Sequence, residues 1–370
     1  MIRLSKSSLG PHEKAAVKSV LDKENLGMGE EVKEFELLLK DYFGREAVSV
    51  INGTSALQLA IQACGISNGD EILVPSLTYI ASFQAISATG AVPVACDVDT
   101  DLCFLDPKDV EKKITDKSKA IMPVHYAGSA GDLNEIYRIA KKNNLRVIED
   151  AAPAFGSNYK NQRVGSFGDI ACFSFDGIKN ITCGEGGCVV SGDKEIIEKV
   201  LDYRLLGVVN DSIKRYSNQR SWDFEVKEQG WRYHMSNIMA ALGIQQFKRL
   251  EEFSKKRREI GLVYNKNLKN ESKIKSLKID YSQVVPHIYV VQIEDLKDRV
   301  KLRQSLLEVG VEVGFHWKPC HQTSLFKDSA KEPLENTEKL AKELLTLPMH
   351  TDLTFMEVDY VCDQLIKAIS

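Results

Sequence analysis

Short apolar runs alternate with helical stretches through the first part of the chain. The runs "AVSVING", "DEILVPS", "VPVACDV", "KAIMPVHY" and "LRVIED", between residues 47 and 150, have the length and composition of strands covered on both faces. The stretches between them, "TSALQLAIQACGI", "YIASFQAISATG", "PKDVEKKI" and "LNEIYRIAKKNN", predict helices. This alternation predicts βαβ units that form a mostly parallel sheet flanked by helices.

The pattern changes after about residue 236. Residues 236–269 have apolar positions at helical spacing, which predicts one long or broken helix. Beyond it, "IYVVQIED" and "VEVGFHW" predict strands, and "VKLRQSLLEVG" and "DYVCDQLIKAI" predict helices. We therefore predict an α/β protein with a large domain over residues 1–245 and a smaller α+β domain over residues 246–370. The polar segment 208–230 has no clear period and is expected to be a surface loop.

Composition and charge exclude several classes of protein. A formal net charge of −3 gives no electrostatic reason to expect nucleic acid or an anionic membrane surface as a partner. No apolar run approaches the roughly 20 residues that span a bilayer, and the N-terminal "MIRLSKSSLGPHEK" lacks the apolar core of a signal peptide. The eight cysteines are scattered without a C-x-x-C pair, so we expect buried thiols and no metal site. We expect a cytoplasmic protein.

The stretch "NGTSALQLA" falls where a predicted strand turns into a predicted helix. Gly53, Thr54 and Ser55 would place backbone N–H groups and two hydroxyls at the helix N-terminus, which suits a phosphate. The alternative is that a serine or threonine here only caps the helix, since both are preferred at that position.

Two further sites follow along the same predicted sheet. Asp150 ends the run "LRVIED", at the edge where open α/β sheets bind ligands, and could hold a cation or a protonated ring nitrogen; a helix cap or a metal ligand are the alternatives. Lys179 lies 29 residues later between strand-like "IACFSF" and glycine-rich "CGEGG". A desolvated lysine can form a Schiff base with a carbonyl, although a single lysine is usually a solvated surface residue. Together with the phosphate cradle, these are the contacts that pyridoxal phosphate (PLP) needs.

Motifs along nearly the whole chain resemble the DegT/StrS family of PLP-dependent sugar aminotransferases. In family order they include "NGTSALQLA", "GDEILVPSLTYIAS", "VIEDAAPAFGS", "VGSFGDIACFSFDGIKNITCGEGG" and "GWRYHMSNIMAALGIQQ". The resemblance implies the aspartate-aminotransferase fold (fold type I) and a homodimer with its active sites at the interface. It implies that Lys179 bonds to the cofactor aldehyde and later moves the proton, and that Asp150 pairs with the pyridine nitrogen. The other implied cofactor contacts are Gly53, Thr54, Ser55 and Ser174 at the phosphate and Tyr79 on the ring.

Two positions depart from the family pattern. The family usually has glutamine where this chain has Pro153, so a contact near the cofactor's 3-hydroxyl is lost or supplied elsewhere. The segment that often reads "GYNYRM" is "GWRYHM" here, and in the family this loop reaches the partner's phosphate. Arg232 or His234 would then take that role, with a purely structural role for both as the alternative.

The resemblance also implies a reaction. Family members pass an amino group, usually from L-glutamate, to a nucleotide-linked keto sugar, and "KNITCGEGG" is similar to members that act at C4. We expect dTDP-4-keto-6-deoxyglucose as the acceptor, in O-antigen or other surface-polysaccharide synthesis; a UDP- or GDP-linked sugar or a C3 position are alternatives. His316 and His321 are expected to approach the sugar, or to be structural. A sugar dehydratase, which would lack the lysine, and a non-catalytic regulator are less favoured.

Overall fold

The predicted βαβ units fold into one large sheet, and the C-terminal part of the chain adds a second, smaller sheet. The computed structural model describes residues 1–220 and 222–369. Its strands are β1 Glu46–Val50, β2 Glu71–Pro75, β3 Val92–Cys96, β4 Ser118–Ile121, β5 Arg146–Asp150, β6 Asn158–Tyr159, β7 Gln162–Arg163, β8 Ile170–Ser174, β9 Gly187–Ser191, β10 Ile274–Ser276, β11 Tyr289–Ile293 and β12 Leu344–Leu347.

Helices cover both faces of the large sheet and surround the small one. They are α1 Pro11–Asp22, α2 Glu30–Phe43, α3 Gly53–Ala63, α4 Ala81–Ala88, α5 Pro107–Lys113, α6 Leu133–Lys142, α7 Lys194–Tyr203, α8 Asp211–Tyr216, α9 Asn237–Lys248, α10 Leu250–Leu268, α11 Arg299–Glu308, α12 Glu335–Glu343 and α13 Phe355–Ile369.

The large sheet has seven strands in the order β1–β9–β8–β5–β4–β2–β3. The pairs from β8 to β3 are parallel, and only β9 runs antiparallel to both of its neighbours. The continuous apolar runs follow from burial on both faces: in β2, Ile72 and Val74 belong to the core cluster that contains the α3 residue Leu57, while Leu73 belongs to the cluster that contains the α6 residue Ile136. The predicted α/β class is confirmed. The carboxyl ends of β1, β2, β5 and β8 meet at one edge of the sheet.

The small sheet is antiparallel, in the order β10–β11–β12, and packs against α10, α11 and α13. A short C-terminal stretch instead joins the core of the large sheet, where Cys320, Phe326 and Leu334 are buried. The boundary that we predict between residues 245 and 246 falls inside α9; it stays a prediction.

Two predicted elements differ in detail, and a third takes one of its two predicted forms. The segment "VEVGFHW" is not a strand, because the N-terminal residue Ile2 occupies the hydrogen-bonding groups around Val311, and Gly314 makes a single bridge to Thr346. Of the two forms predicted for residues 236–269, the broken helix is the one observed, with its break at Arg249 between α9 and α10. Segment 208–230 contains the short helix α8, and its Ser221 lies outside the described residues.

Candidate active site

A cavity of about 430 Å³ opens at the edge where the carboxyl ends of the parallel strands meet. The residues around it come from the carboxyl ends of five large-sheet strands (β1, β2, β4, β5 and β8), from the β8–β9 loop and from the C-terminal part of the chain. They include Asn52, Gly53, Thr54, Thr78, Tyr79, Asp150, Pro153, Ser174, Asp176, Lys179, Glu185, His287, His316 and Trp317. Ligands of open α/β sheets bind at this edge.

The N-terminus of α3 forms one wall of the cavity. The Asn52 side chain caps this helix, since its Oδ1 accepts hydrogen bonds from the Ser55 backbone N–H (2.8 Å) and from the Ser55 hydroxyl (2.9 Å). The cap is therefore asparagine, and the alternative that Thr54 or Ser55 caps the helix is wrong. A Cβ on Gly53 would lie 2.8 Å from the Ser174 Cβ, so only glycine allows α3 to approach β8 this closely. Gly53, Thr54 and Ser174 border the cavity, where helix N–H groups favour an anion, whereas the buried Ser55 points to Asn52.

Asp150 lines the cavity at the carboxyl end of β5. Its carboxylate is only 6% exposed and accepts hydrogen bonds from the Ser82 hydroxyl (2.7 Å) and the Ala152 N–H (3.3 Å). Burial raises its pKa, and the Ser82 hydrogen bond and the charge of Lys179 oppose that rise. A cation bound in the cavity would stabilise the ionised carboxylate of Asp150, so this group suits a protonated ring nitrogen. Behind it, His125 lies 2.8 Å from Glu149, fully buried and off the cavity lining.

Lys179 sits on the β8–β9 loop and is partly buried at the cavity wall. Loss of hydration lowers the pKa of its ammonium, while the nearby carboxylates of Asp150 and Asp176 oppose the change. The loop is held in place by Asn180, whose side chain donates to the carbonyls of Phe155 (2.8 Å) and Val285 (3.2 Å). A lysine with a weakened hold on its proton, beside a carboxylate, can act as a nucleophile toward an aldehyde.

The far wall comes from the C-terminal part of the chain. His316 borders the cavity with its Nδ1 at 2.8 Å from the Thr346 hydroxyl, and burial lowers its pKa to about 4, so it is neutral at pH 7. Tyr79 is 57% exposed across the opening, 6.2 Å from the ring of Trp317. The predicted positions of Tyr79 and His316 are thus at the cavity; their roles stay predictions.

Two predicted residues lie elsewhere in the single chain. His321 is outside the cavity lining, where its Nδ1 is 2.6 Å from the Ser76 hydroxyl and its Nε2 is 3.4 Å from Glu338. Arg232 is exposed and borders a separate cleft of about 120 Å³ together with His234. Within one chain, Arg232 does not reach the cavity.

Several cavity residues are not predicted from the sequence. His287 precedes β11 and contributes a buried imidazole, and Asp176 and Glu185 add carboxylates on the Lys179 side. Glu185 lies in "CGEGG", the glycine-rich run that marks the loop. No sequence signal marks His287 as a site residue, because "VVPHIYVV" is an ordinary sequence for the start of a buried strand.

The residues present fit pyridoxal phosphate. The α3 N-terminus with Thr54 and Ser174 would hold the phosphate, Asp150 the ring nitrogen and Lys179 the aldehyde, and all of them border one cavity. In residues 1–220 and 222–369, no group of three or more metal-binding side chains is gathered. Over the same residues, no helix combines the length and apolar character that a membrane crossing requires.

Comparisons with known proteins agree with this arrangement. The profile of the DegT/DnrJ/EryC1/StrS aminotransferase family matches residues 7–366. The GDP-perosamine synthase of Escherichia coli O157:H7 is 38% identical over 320 residues, which cover 86% of this chain and 84% of that protein. The aminotransferase TlmJ from Streptoalloteichus hindustanus superposes with a TM-score of 0.92 at 30% identity, covering 100% of this chain and 99% of TlmJ. The PLP-form of Spr1654 from Streptococcus pneumoniae also gives 0.92, at 27% identity and 100% and 98% coverage.

Proposed function

This chain belongs to the DegT/DnrJ/EryC1/StrS aminotransferase family, and we propose that it moves the amino group of L-glutamate to C4 of a nucleotide-linked 4-keto-6-deoxyhexose with PLP as cofactor. The observation that carries the proposal is the placement of Lys179 and Asp150 beside the α3 N-terminus in a single cavity. When bound, pyridoxal phosphate supplies an aldehyde for the migrating nitrogen and a ring that accepts electrons.

The chain's own residues would divide the remaining work. Thr54, Ser174 and the N–H groups of α3 bind the phosphate and fix the cofactor's position. Asp150 holds a proton on the ring nitrogen, because its buried carboxylate is stabilised by a neighbouring cation. Lys179 takes the proton from the donor's α-carbon and later returns one to C4 of the sugar; its lowered pKa makes the neutral amine available for the first of these steps.

The nucleotide is the finer part of the proposal. The sequence favours dTDP-4-keto-6-deoxyglucose, with dTDP-4-amino-4,6-dideoxyglucose as the product, and the GDP-perosamine synthase relative favours a GDP-linked sugar. A nucleotide-linked amino sugar is an activated building block, and we keep O-antigen or other surface-polysaccharide synthesis in the cytoplasm as its setting.

We propose a homodimer in which Arg232 completes the partner's phosphate site. Arg232 is exposed, and Leu206 and Phe224, which border the same cleft, are 50% and 57% exposed. An arginine among exposed apolar side chains is a composition typical of interfaces. A dehydratase is disfavoured because Lys179 is present and borders the cavity.

The test is a panel of dTDP-, UDP- and GDP-linked 4-keto-6-deoxy sugars, each incubated with the PLP-loaded protein and L-glutamate. We expect one nucleotide series to gain an amino group, seen by product mass, with nitrogen on C4 by NMR. Amination of the corresponding 3-keto sugars, with none of the 4-keto sugars reacting, would overturn the C4 assignment. Loss of water from the sugar without nitrogen gain would overturn transamination.

A further inference from the structure

His287 is a buried polar side chain at the cavity with no partner of its own. It is 3% exposed and borders the cavity, and its Nδ1 is buried without a hydrogen-bond partner. Protein encloses this Nδ1, whereas Nε2 is not among the enclosed unpartnered atoms, so a ligand in the cavity would meet the ring at Nε2.

Only one nitrogen of this ring can meet a ligand in the cavity. Burial keeps the pKa of His287 well below its usual value, so the ring is neutral and has one N–H. The enclosed Nδ1 has no partner in either tautomer, so a ligand that accepts a hydrogen bond would meet the N–H on Nε2.

The carboxylates that line the cavity lie on the Lys179 side, and in the described part of the chain the opposite wall has none. Asp150, Asp176 and Glu185 place carboxylates around Lys179, whereas the C-terminal wall carries His287 and His316. Arg257 lies behind His287, 3% exposed, and its guanidinium donates to the carbonyls of Pro286 (3.3 Å) and His287 (3.2 Å). Across residues 1–220 and 222–369, no carboxylate forms an ion pair with Arg257, so its charge makes the histidine wall attractive to an anion.

We propose that His287 recognises the amino donor, by donating a hydrogen bond from Nε2 to the donor's α-carboxylate. This inference rests on the proposed function. The donor's nitrogen must come to the Lys179 region, and the α-carboxylate is attached to the carbon that carries this nitrogen. Lys179 and His287 both border the cavity, and Arg257 donates to the backbone carbonyls of both residues (3.5 Å and 3.2 Å), so the two segments lie side by side. The sugar substrate carries its negative charge on the diphosphate, away from the reacting keto carbon, and has no anion to place here.

The experiment compares two donors in the half-reaction of the PLP-loaded protein, followed by the change in cofactor absorbance. L-Glutamate has the α-carboxylate, and 4-aminobutyrate lacks it. His287→Leu should raise the L-glutamate concentration for half-maximal rate about 10-fold or more, as expected for a lost hydrogen bond to a charged group. The slow reaction with 4-aminobutyrate should change less than about twofold, since that donor has nothing to lose at this position. His287→Gln, which keeps an N–H donor, should recover part of the loss, and His12→Leu on the exposed face of α1 is the control.

Equal slowing with both donors would overturn the inference and make His287 a structural residue. An unchanged L-glutamate dependence in His287→Leu would also overturn it, while leaving the proposed function intact. Absence of any L-glutamate reaction in the unmodified protein would overturn both. If His287→Leu does not bind PLP, the His287→Gln variant replaces it. The half-maximal concentration should then rise for L-glutamate and not for 4-aminobutyrate, and an equal rise for both donors would overturn the inference.

Discussion

At the residue scale, the site depends on charged and polar groups held in states that water would not favour. Asp150 is buried with a raised pKa, Lys179 has a lowered one, and His316 is kept neutral. Shifted pKa values of this kind are common among residues of catalytic sites. Of the three, His316 is the one that makes the fold sensitive to acid, because the fold favours its neutral form; the raised pKa of Asp150 acts in the opposite direction.

His316 gives a prediction for pH and stability. Its pKa falls from 6.5 in the unfolded chain to about 4 in the fold, so between those values only the unfolded state takes up the proton. The stability that depends on neutral His316 is therefore complete above pH 6.5 and is lost as the pH falls toward 4. We expect His316→Gln to lose less free energy of unfolding between pH 7 and pH 5 than the unmodified protein, measured by urea denaturation. An identical loss in both proteins would contradict the shift.

The site residues differ in how far sequence predicts them. Asp150 ends a strand, and Gly53 and Lys179 follow strand ends; the position of a strand end in a parallel sheet determines where the next residues lie. His287 reaches the cavity, and Arg257 lies behind it, through the packing of α10 and the start of β11 against the Lys179 loop. That packing joins segments far apart in sequence, so no local sequence pattern predicts that either residue lies near the site.

At the scale of elements, α3 links the fold to the proposed phosphate site. Asn52 caps this helix and sets the direction of its first N–H groups toward the cavity. Asn52→Ala should cost about 1 kcal/mol of unfolding free energy and should weaken PLP binding as well. Calorimetric titration with PLP and urea denaturation measure the two effects.

Asp298 provides the matched control for that experiment. It caps α11 by accepting a hydrogen bond from the Lys301 N–H (2.9 Å), on a helix of the smaller unit. Asp298→Ala should cause a similar loss of stability with unchanged PLP affinity. If both variants bind PLP as well as the unmodified protein, the α3 N-terminus does not hold the phosphate.

Strands and helices of the large sheet could be predicted because each apolar run is buried on both faces and each helix on one. The short edge strands β10 and β12 could not be predicted in this way, because they are extended only where they pair with β11. The error at "VEVGFHW" has the same cause: its residues favour a strand, but Ile2 and the turn into the cavity at His316 take its backbone elsewhere.

At the scale of the whole molecule, the N-terminal segment connects the two sheets. Ile2 pairs with the backbone at Gly310 and Glu312, Met349 donates its N–H to the Leu4 carbonyl (2.9 Å), and Ser7 donates to the Gly177 carbonyl in the Lys179 loop. The segment thus runs from the small sheet to the loop beside the cavity. This contact between distant parts of the chain was not evident from the sequence.

The proposed dimer leads to a complementation experiment. Lys179→Ala and Arg232→Ala should each be inactive or nearly so alone. Unfolding and refolding the two together should restore about a quarter of the unmodified activity, because about half of the dimers are mixed and each mixed dimer has one complete site. No recovery, although mixed dimers are present by mass spectrometry, would contradict a role for Arg232 in the partner's site.

The most direct test of the central claim is borohydride reduction of the PLP-loaded protein, followed by peptide mass spectrometry. We predict that the cofactor becomes attached to Lys179 alone, that Lys179→Ala abolishes the attachment, and that Lys301→Ala, on exposed α11, leaves it unchanged. Attachment at another lysine, or equal labelling of the Lys179→Ala protein, would contradict the account.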